Sequence, residues 1–137
     1  MIYSRYLYEE VKEYFHSPES VILTGMRRTG KTTLLNLIYG NVETENKILL
    51  DFENPLNRKY FEEENYEKIR ASFEFLGINF AQRPYIFLDE IQFLKNIPSV
   101  VKYFIDHYKV KFFLTGSASY YLKNLFTESL AGRKIIF

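Results

Sequence analysis

Residues Gly25-Met26-Arg27-Arg28-Thr29-Gly30-Lys31-Thr32 fill every fixed position of the phosphate-cradling pattern G-x-x-x-x-G-K-[ST]. Each fixed residue type has a physical task there. Gly25 and Gly30 let the backbone approach a polyphosphate closely, and the unsatisfied N–H groups and dipole of a helix start attract its charge. Lys31 neutralises the β and γ phosphates, while the Thr32 hydroxyl can ligate magnesium. A glycine turn built only to reverse the chain has no need of Lys-Thr at that spacing. The candidate nucleotide-contacting residues are Gly25, Arg28, Thr29, Gly30, Lys31, Thr32 and Thr33. Arg27 and Arg28 suit a phosphate, a partner or a solvated loop equally well.

Two carboxylates complement that loop. In Tyr85-Ile86-Phe87-Leu88-Asp89-Glu90, four apolar residues bury a strand and Asp89 and Glu90 stand at its carboxyl end, the edge where open parallel sheets bind ligands. Asp89 would hold the magnesium shell opposite Thr32, and Glu90 could orient or polarise the water that attacks a γ phosphate. An isolated Asp-Glu pair after a strand reads as readily as a solvated turn; its position downstream of a P-loop favours the chemical reading. Phe112-Phe113-Leu114-Thr115-Gly116-Ser117 repeats the apolar-then-polar design. There Thr115 or Ser117 could hydrogen-bond the γ phosphate or the water, the alternative being a turn capped by Ser117 or Ser119.

The elements that must position these groups follow from periodicity. Tyr3, Leu7, Val11 and Tyr14 define a leading amphipathic helix within residues 1–18, ended by Ser17-Pro18. Val21 to Thr24 predicts the strand entering the loop. Lys31 to Tyr39 predicts the helix leaving it, with Gly40 as its cap. Lys47 to Phe52 predicts a second strand, and the steps through Tyr66, Ile69, Phe73 and Leu76 predict a helix over roughly 58–76, its Glu62-Glu63-Glu64 run in water. Tyr85 to Leu88, Val110 to Thr115 and Lys134 to Phe137 complete the strands. A helix through Ile97, Val101, Phe104 and Tyr108, and a short one over 120–126, complete the helices. Strands alternating with helices predict an α/β domain with a parallel sheet.

Composition narrows the classes. A length of 137 residues suits one domain, and 47% hydrophobic against 26% charged residues excludes disorder. With 18 basic and 17 acidic residues the net charge is +1, so nucleic acid is not supported as a partner. The lack of cysteine removes disulfides, thiolate metal sites and a cysteine nucleophile, and makes a reduced cytoplasmic setting the default. No apolar run approaches a membrane span, and Glu9, Glu10 and Glu13 stand where a signal peptide needs its apolar stretch.

The Walker A loop, the Leu88-Asp89-Glu90 strand, the Thr115-Gly116-Ser117 strand end and Ser129-Leu130-Ala131-Gly132-Arg133, in this order and spacing, resemble the AAA-type ATP-binding domain of archaeal and bacterial P-loop ATPases, the type that usually precedes a C-terminal domain of unknown function. The resemblance covers nearly the whole chain. It implies a P-loop NTPase three-layer sandwich whose five-stranded parallel sheet belongs to the catalytic-glutamate class. It further implies Asp89 as the Walker B acid, Glu90 as catalytic glutamate, Thr115 as sensor and Arg133 as a candidate phosphate-sensing or finger arginine. ATP and magnesium are the implied cofactors. Relatives continue well beyond the Gly-Arg segment, so the single domain of residues 1–137 reads as truncated at its C-terminus, with a missing region or a neighbouring subunit as partner.

Three functions stay open on sequence alone. ATP hydrolysis leads. A nucleotide-gated interaction module with little turnover is the second, and a small-molecule phosphotransferase the third, although Glu90 beside Asp89 suits water activation and no arginine-rich lid is present. GTP is disfavoured because no N-K-x-D stretch reads guanine.

Overall fold

Five strands, β1 (Ser20–Leu23), β2 (Lys47–Asp51), β3 (Tyr85–Asp89), β4 (Lys111–Thr115) and β5 (Lys134–Ile136), form one parallel sheet in the order β2-β3-β4-β1-β5. The computed structural model describes residues 2–24, 28–116 and 134–137. β4 lies between β1 and β3, so the strand entering the P-loop and the strand ending in Asp89 are separated by the one ending in Thr115. This is the expected α/β architecture with an added central strand.

Strand alternation sends successive side chains to opposite faces, and both faces are covered. Val21, Leu23, Phe87 and Phe113 pack with Val11 and Phe15, at and just beyond α1 (Ile2–Lys12), and with Leu34, Leu35 and Ile38 of α2 (Arg28–Asn41). Ile22, Ile86, Leu88, Phe112 and Leu114 pack on the other face with Ile69 and Phe73 of α4 (Tyr66–Phe75) and Val100, Val101 and Phe104 of α5 (Ile97–Tyr108). The register pair Phe87 and Phe113 stacks with ring centroids 4.5 Å apart and an 8° interplanar angle. Helix, sheet and helix thus make three layers.

Three local expectations differ from the structure. The helix expected over 58–76 is divided: α3 (Pro55–Arg58) runs into a 3-10 turn (Lys59–Phe61), and α4 starts afresh at Tyr66. Asn54 caps the first by accepting the Leu56 N–H and Asn65 caps the second by accepting the Glu67 N–H, each at 3.0 Å. The break lets Phe61 insert between Phe52 and Phe73, at 5.0 and 5.4 Å between ring centroids. Second, α2 continues through Gly40 to Asn41, because the Val42 N–H still reaches the Ile38 carbonyl at 2.9 Å. Glycine does not cap it. The chain instead uses positive φ after α4, at Gly77 (φ 107°), where Ile78 N–H returns to the Phe73 carbonyl. Third, α1 closes at Lys12, before Ser17-Pro18, as the Tyr14 and Phe15 N–H groups turn back to Val11 and Lys12 and bury Phe15. The helix expected over 120–126 lies outside the described residues.

At the opposite edge from the P-loop, fully buried Lys111 fastens the α1–β1 connection by donating to the Ser17 carbonyl at 3.0 Å, the Ser17 hydroxyl at 3.1 Å and the Glu19 carbonyl. Arg83 donates to the His16 and Ser17 carbonyls beside it. Burial, then the nearby Arg83 charge, push the Lys111 ammonium down to about 7 from its ordinary 10.5, against the pull of Glu19. Between those values the unfolded chain binds a proton that the folded chain does not, so this group makes stability rise with pH there. Urea unfolding of parent and Lys111→Met should show the parent gaining stability over the variant as pH climbs through that window. A constant difference would contradict it.

Candidate functional site

The C-terminal ends of β3 and β4 and the start of α2 converge at one edge of the sheet. Thr32, in the first turns of α2, donates its hydroxyl to Asp89 Oδ2 at 2.9 Å. Asp89, 3% exposed at the end of β3, accepts on its other oxygen, Oδ1, from the Thr115 hydroxyl. The Thr115 oxygen in turn accepts the Glu90 N–H at 2.9 Å. One carboxylate and two hydroxyls therefore tie the helix that follows the P-loop to two strand ends. Buried polar groups need partners, and here they supply one another.

Lys31 is also buried, at 1% exposure, and its ammonium donates to the Gly116 carbonyl just past β4. Its aliphatic stem lies in the interior while its charge sits at the edge that carries Asp89 and Glu90. Glu90 is 1% exposed and holds a left-handed backbone, φ 62° and ψ 53°, which is unusual for a residue with a side chain. Such strain persists only where surroundings impose it. Its N–H is held by Thr115, and the 3-10 turn Ile91–Phe93 follows, anchored by buried Ile91 and Leu94. The Glu90 carboxylate accepts the Gln92 side-chain N–H on Oε2 at 2.8 Å.

Of the residues singled out from sequence, Lys31, Thr32, Asp89, Glu90 and Thr115 meet at this edge. Gly30 lies buried in the first turn of α2, and exposed Thr33 follows Thr32. Arg28 and Thr29 open α2, with only their backbone described. Gly25, Arg27, Ser117, Ser119 and Arg133 lie outside the described residues. Thr115, read from the sequence as a residue for the γ phosphate or the water, meets Asp89 and Glu90. A hydroxyl has one proton, and that of Thr115 is given to Asp89, so Thr115 here orients the acid and the Glu90 backbone. Gln92 and the Gly116 carbonyl carry no signal in the sequence. Neither belongs to a spacing pattern, since one is a loop amide and the other a backbone atom.

Hard oxygen donors suit magnesium, which takes one or two protein ligands together with phosphate oxygens and water. The Thr32 hydroxyl and the Asp89 carboxylate, 2.9 Å apart, match that donor set.

Comparison with known proteins agrees with this architecture. The family model described as "AAA domain" matches residues 17–137. The uncharacterized protein MJ1637 of Methanocaldococcus jannaschii is 30% identical over 123 residues, an alignment covering 85% of this chain and 26% of that protein. The chain thus spans about a quarter of its relative's length. Among solved structures, C. elegans PCH-2 superposes with a TM-score of 0.51 at 15% identity, covering 97% of this chain and 40% of the other. That likeness concerns the fold. Five parallel strands with β4 inserted beside the P-loop strand, together with a family match over most of the chain, place this protein in the AAA domain family, as a nucleotide-binding P-loop ATPase domain.

Proposed function

We propose that residues 1–137 form a single ATP-binding domain that hydrolyses ATP with magnesium and serves as the core of a larger AAA-type ATPase. The observation that carries this reading is the bonded chain from Thr32 through Asp89 and Thr115 to the Glu90 backbone. It holds an acid suited to magnesium and a potential general base in fixed relation to the P-loop helix. Thr32 and Asp89 would hold magnesium, which when bound would supply positive charge against the negative charge of the phosphoryl group.

The chain's own residues divide the remaining tasks. Lys31 exchanges the Gly116 carbonyl for phosphate oxygens, joined by Gly25, Arg28, Thr29, Gly30 and Thr33 through the loop and the helix start. Glu90 orients a water and takes its proton as the water oxygen bonds to the γ phosphorus. The bond from that phosphorus to the bridging oxygen breaks, and ADP leaves with the electron pair. Catalysis is positioning and electrostatics, because the protein forms no covalent bond.

The greater length of MJ1637 supports a further region or a neighbouring subunit as partner in the whole protein. The cysteine-free composition supports a reduced, cytoplasmic setting. Among the described residues no helix is long and apolar enough to cross a membrane.

Incubation with γ-labelled ATP and magnesium tests the reading: label should appear as free phosphate. Label carried onto an added small-molecule acceptor would favour a phosphotransferase, and none released would favour a binding module. Arg133 gives a sharper form of the test. A finger arginine supplied by a neighbouring subunit can contribute about a thousandfold in rate, so separate chains should hydrolyse more slowly than assembled ones. Joining the chain to downstream sequence or to neighbouring subunits should raise turnover far more than affinity, and Arg133→Ala should remove most of the gain. Fast turnover by the lone chain, unchanged in Arg133→Ala, would contradict the finger role.

A further inference from the structure

We infer that Gln92 is a positioning residue for Glu90, acting on the carboxylate through its side-chain amide; the inference rests on the hydrolytic reading above. The Gln92 Nε2 donates to Glu90 Oε2 at 2.8 Å, within ordinary hydrogen-bond range. Glutamine in a loop usually faces solvent, but this one is half-buried and its direction is determined from both sides. Ile91 before it and Leu94 beyond it are core residues, 1% and 6% exposed. The Leu94 N–H closes onto the Ile91 carbonyl at 3.0 Å, and the Phe93 N–H reaches the Glu90 carbonyl at 3.4 Å. The turn therefore presents the amide to the residue two positions earlier.

Glu90 is therefore held at its backbone and at its side chain. Its backbone N–H is tied to Thr115 and its carboxylate to Gln92. Backbone alone leaves three side-chain torsions to be chosen, and a carboxylate that must meet a water within a few tenths of an ångström gains from having them chosen beforehand. Sequence gives no hint of this, since the pairing depends on the left-handed turn at Glu90, φ 62°.

The test is steady-state phosphate release by the full chain in parent, Gln92→Met and Gln92→Glu, each also in a Glu90→Gln background, with thermal melts as a folding control. Methionine keeps length and bulk but removes the donor; glutamate is isosteric and replaces attraction by repulsion. We expect Gln92→Met to lower kcat roughly tenfold to hundredfold, the range of a hydrogen bond to a charged group, with KM for ATP nearly unchanged. Gln92→Glu should lose more. In the Glu90→Gln background the same changes should alter the residual rate less than about twofold, because the carboxylate they act through is gone. A turn that merely supports the fold would lose activity equally in both backgrounds.

Parental kcat in Gln92→Met, or an equal loss in both backgrounds, overturns the inference while leaving hydrolysis standing. Should Gln92→Met fail to fold, Gln92→Glu decides by the same criteria. A parent that binds ATP but releases no phosphate overturns the hydrolytic reading and this inference together, an outcome distinct from the other two.

Discussion

Glu90→Gln should reduce phosphate release by roughly a hundredfold or more while ATP affinity stays close to the parent's, the range expected for loss of a positioned general base. The two side chains have the same shape. Glutamine can adopt the left-handed backbone of Glu90 (φ 62°, ψ 53°) about as readily as glutamate, and its N–H can still meet the Thr115 oxygen. What it lacks is a basic oxygen to take the water's proton. Asp89→Asn should behave differently, because Asp89 uses both oxygens, on Thr32 and on Thr115. An amide there replaces an acceptor by a donor facing a hydroxyl, and should weaken magnesium-dependent binding as well as turnover. Paired rate and binding measurements separate the two roles. If Glu90→Gln hydrolyses at the parental rate while Asp89→Asn does not, Glu90 is only a turn residue.

Removing the Lys31 charge should weaken ATP binding by roughly tenfold to a hundredfold, the range for charge-assisted hydrogen bonds to phosphate. Alanine is the blunter probe. Lys31 is 1% exposed, and its stem fills interior space while its ammonium satisfies the Gly116 carbonyl. Lys31→Ala therefore leaves a cavity and an unpartnered carbonyl, and should cost some stability besides affinity. Lys31→Met also loses the donor to the Gly116 carbonyl but keeps most of the volume, so it avoids the cavity and reports chiefly the loss of the ammonium. Thermal melts alongside nucleotide titrations of both variants check this. Parental ATP affinity in a folded Lys31→Met chain would defeat the P-loop assignment.

Much of this site was legible because local chemistry and global fold demand the same residues. Asp89 ends an apolar run that must be a buried strand, and Thr115 ends another; once both strands lie parallel and adjacent, their polar ends share one edge. Lys31 and Thr32 follow from a spacing with few other uses. What stayed illegible depends on geometry that no spacing encodes. The apolar steps through Tyr66, Ile69, Phe73 and Leu76 suit one helix over roughly 58–76, and only the caps at Asn54 and Asn65, with Phe61 seated between Phe52 and Phe73, divide it. Lys111 resembles an ordinary strand-end lysine until the carbonyls of Ser17 and Glu19 close around it. Gln92 becomes chemically meaningful only through the left-handed turn before it.

A magnesium-dependent ATP site at this edge of the sheet must show itself in binding. Calorimetric titration of the chain with ATP, repeated with ADP and GTP and in the presence and absence of magnesium, tests it most directly. ATP and ADP should bind saturably at a single site, GTP more weakly, and ATP affinity should fall when magnesium is withheld. Absence of ATP binding, or binding indifferent to magnesium and undiminished in Lys31→Met, would contradict it.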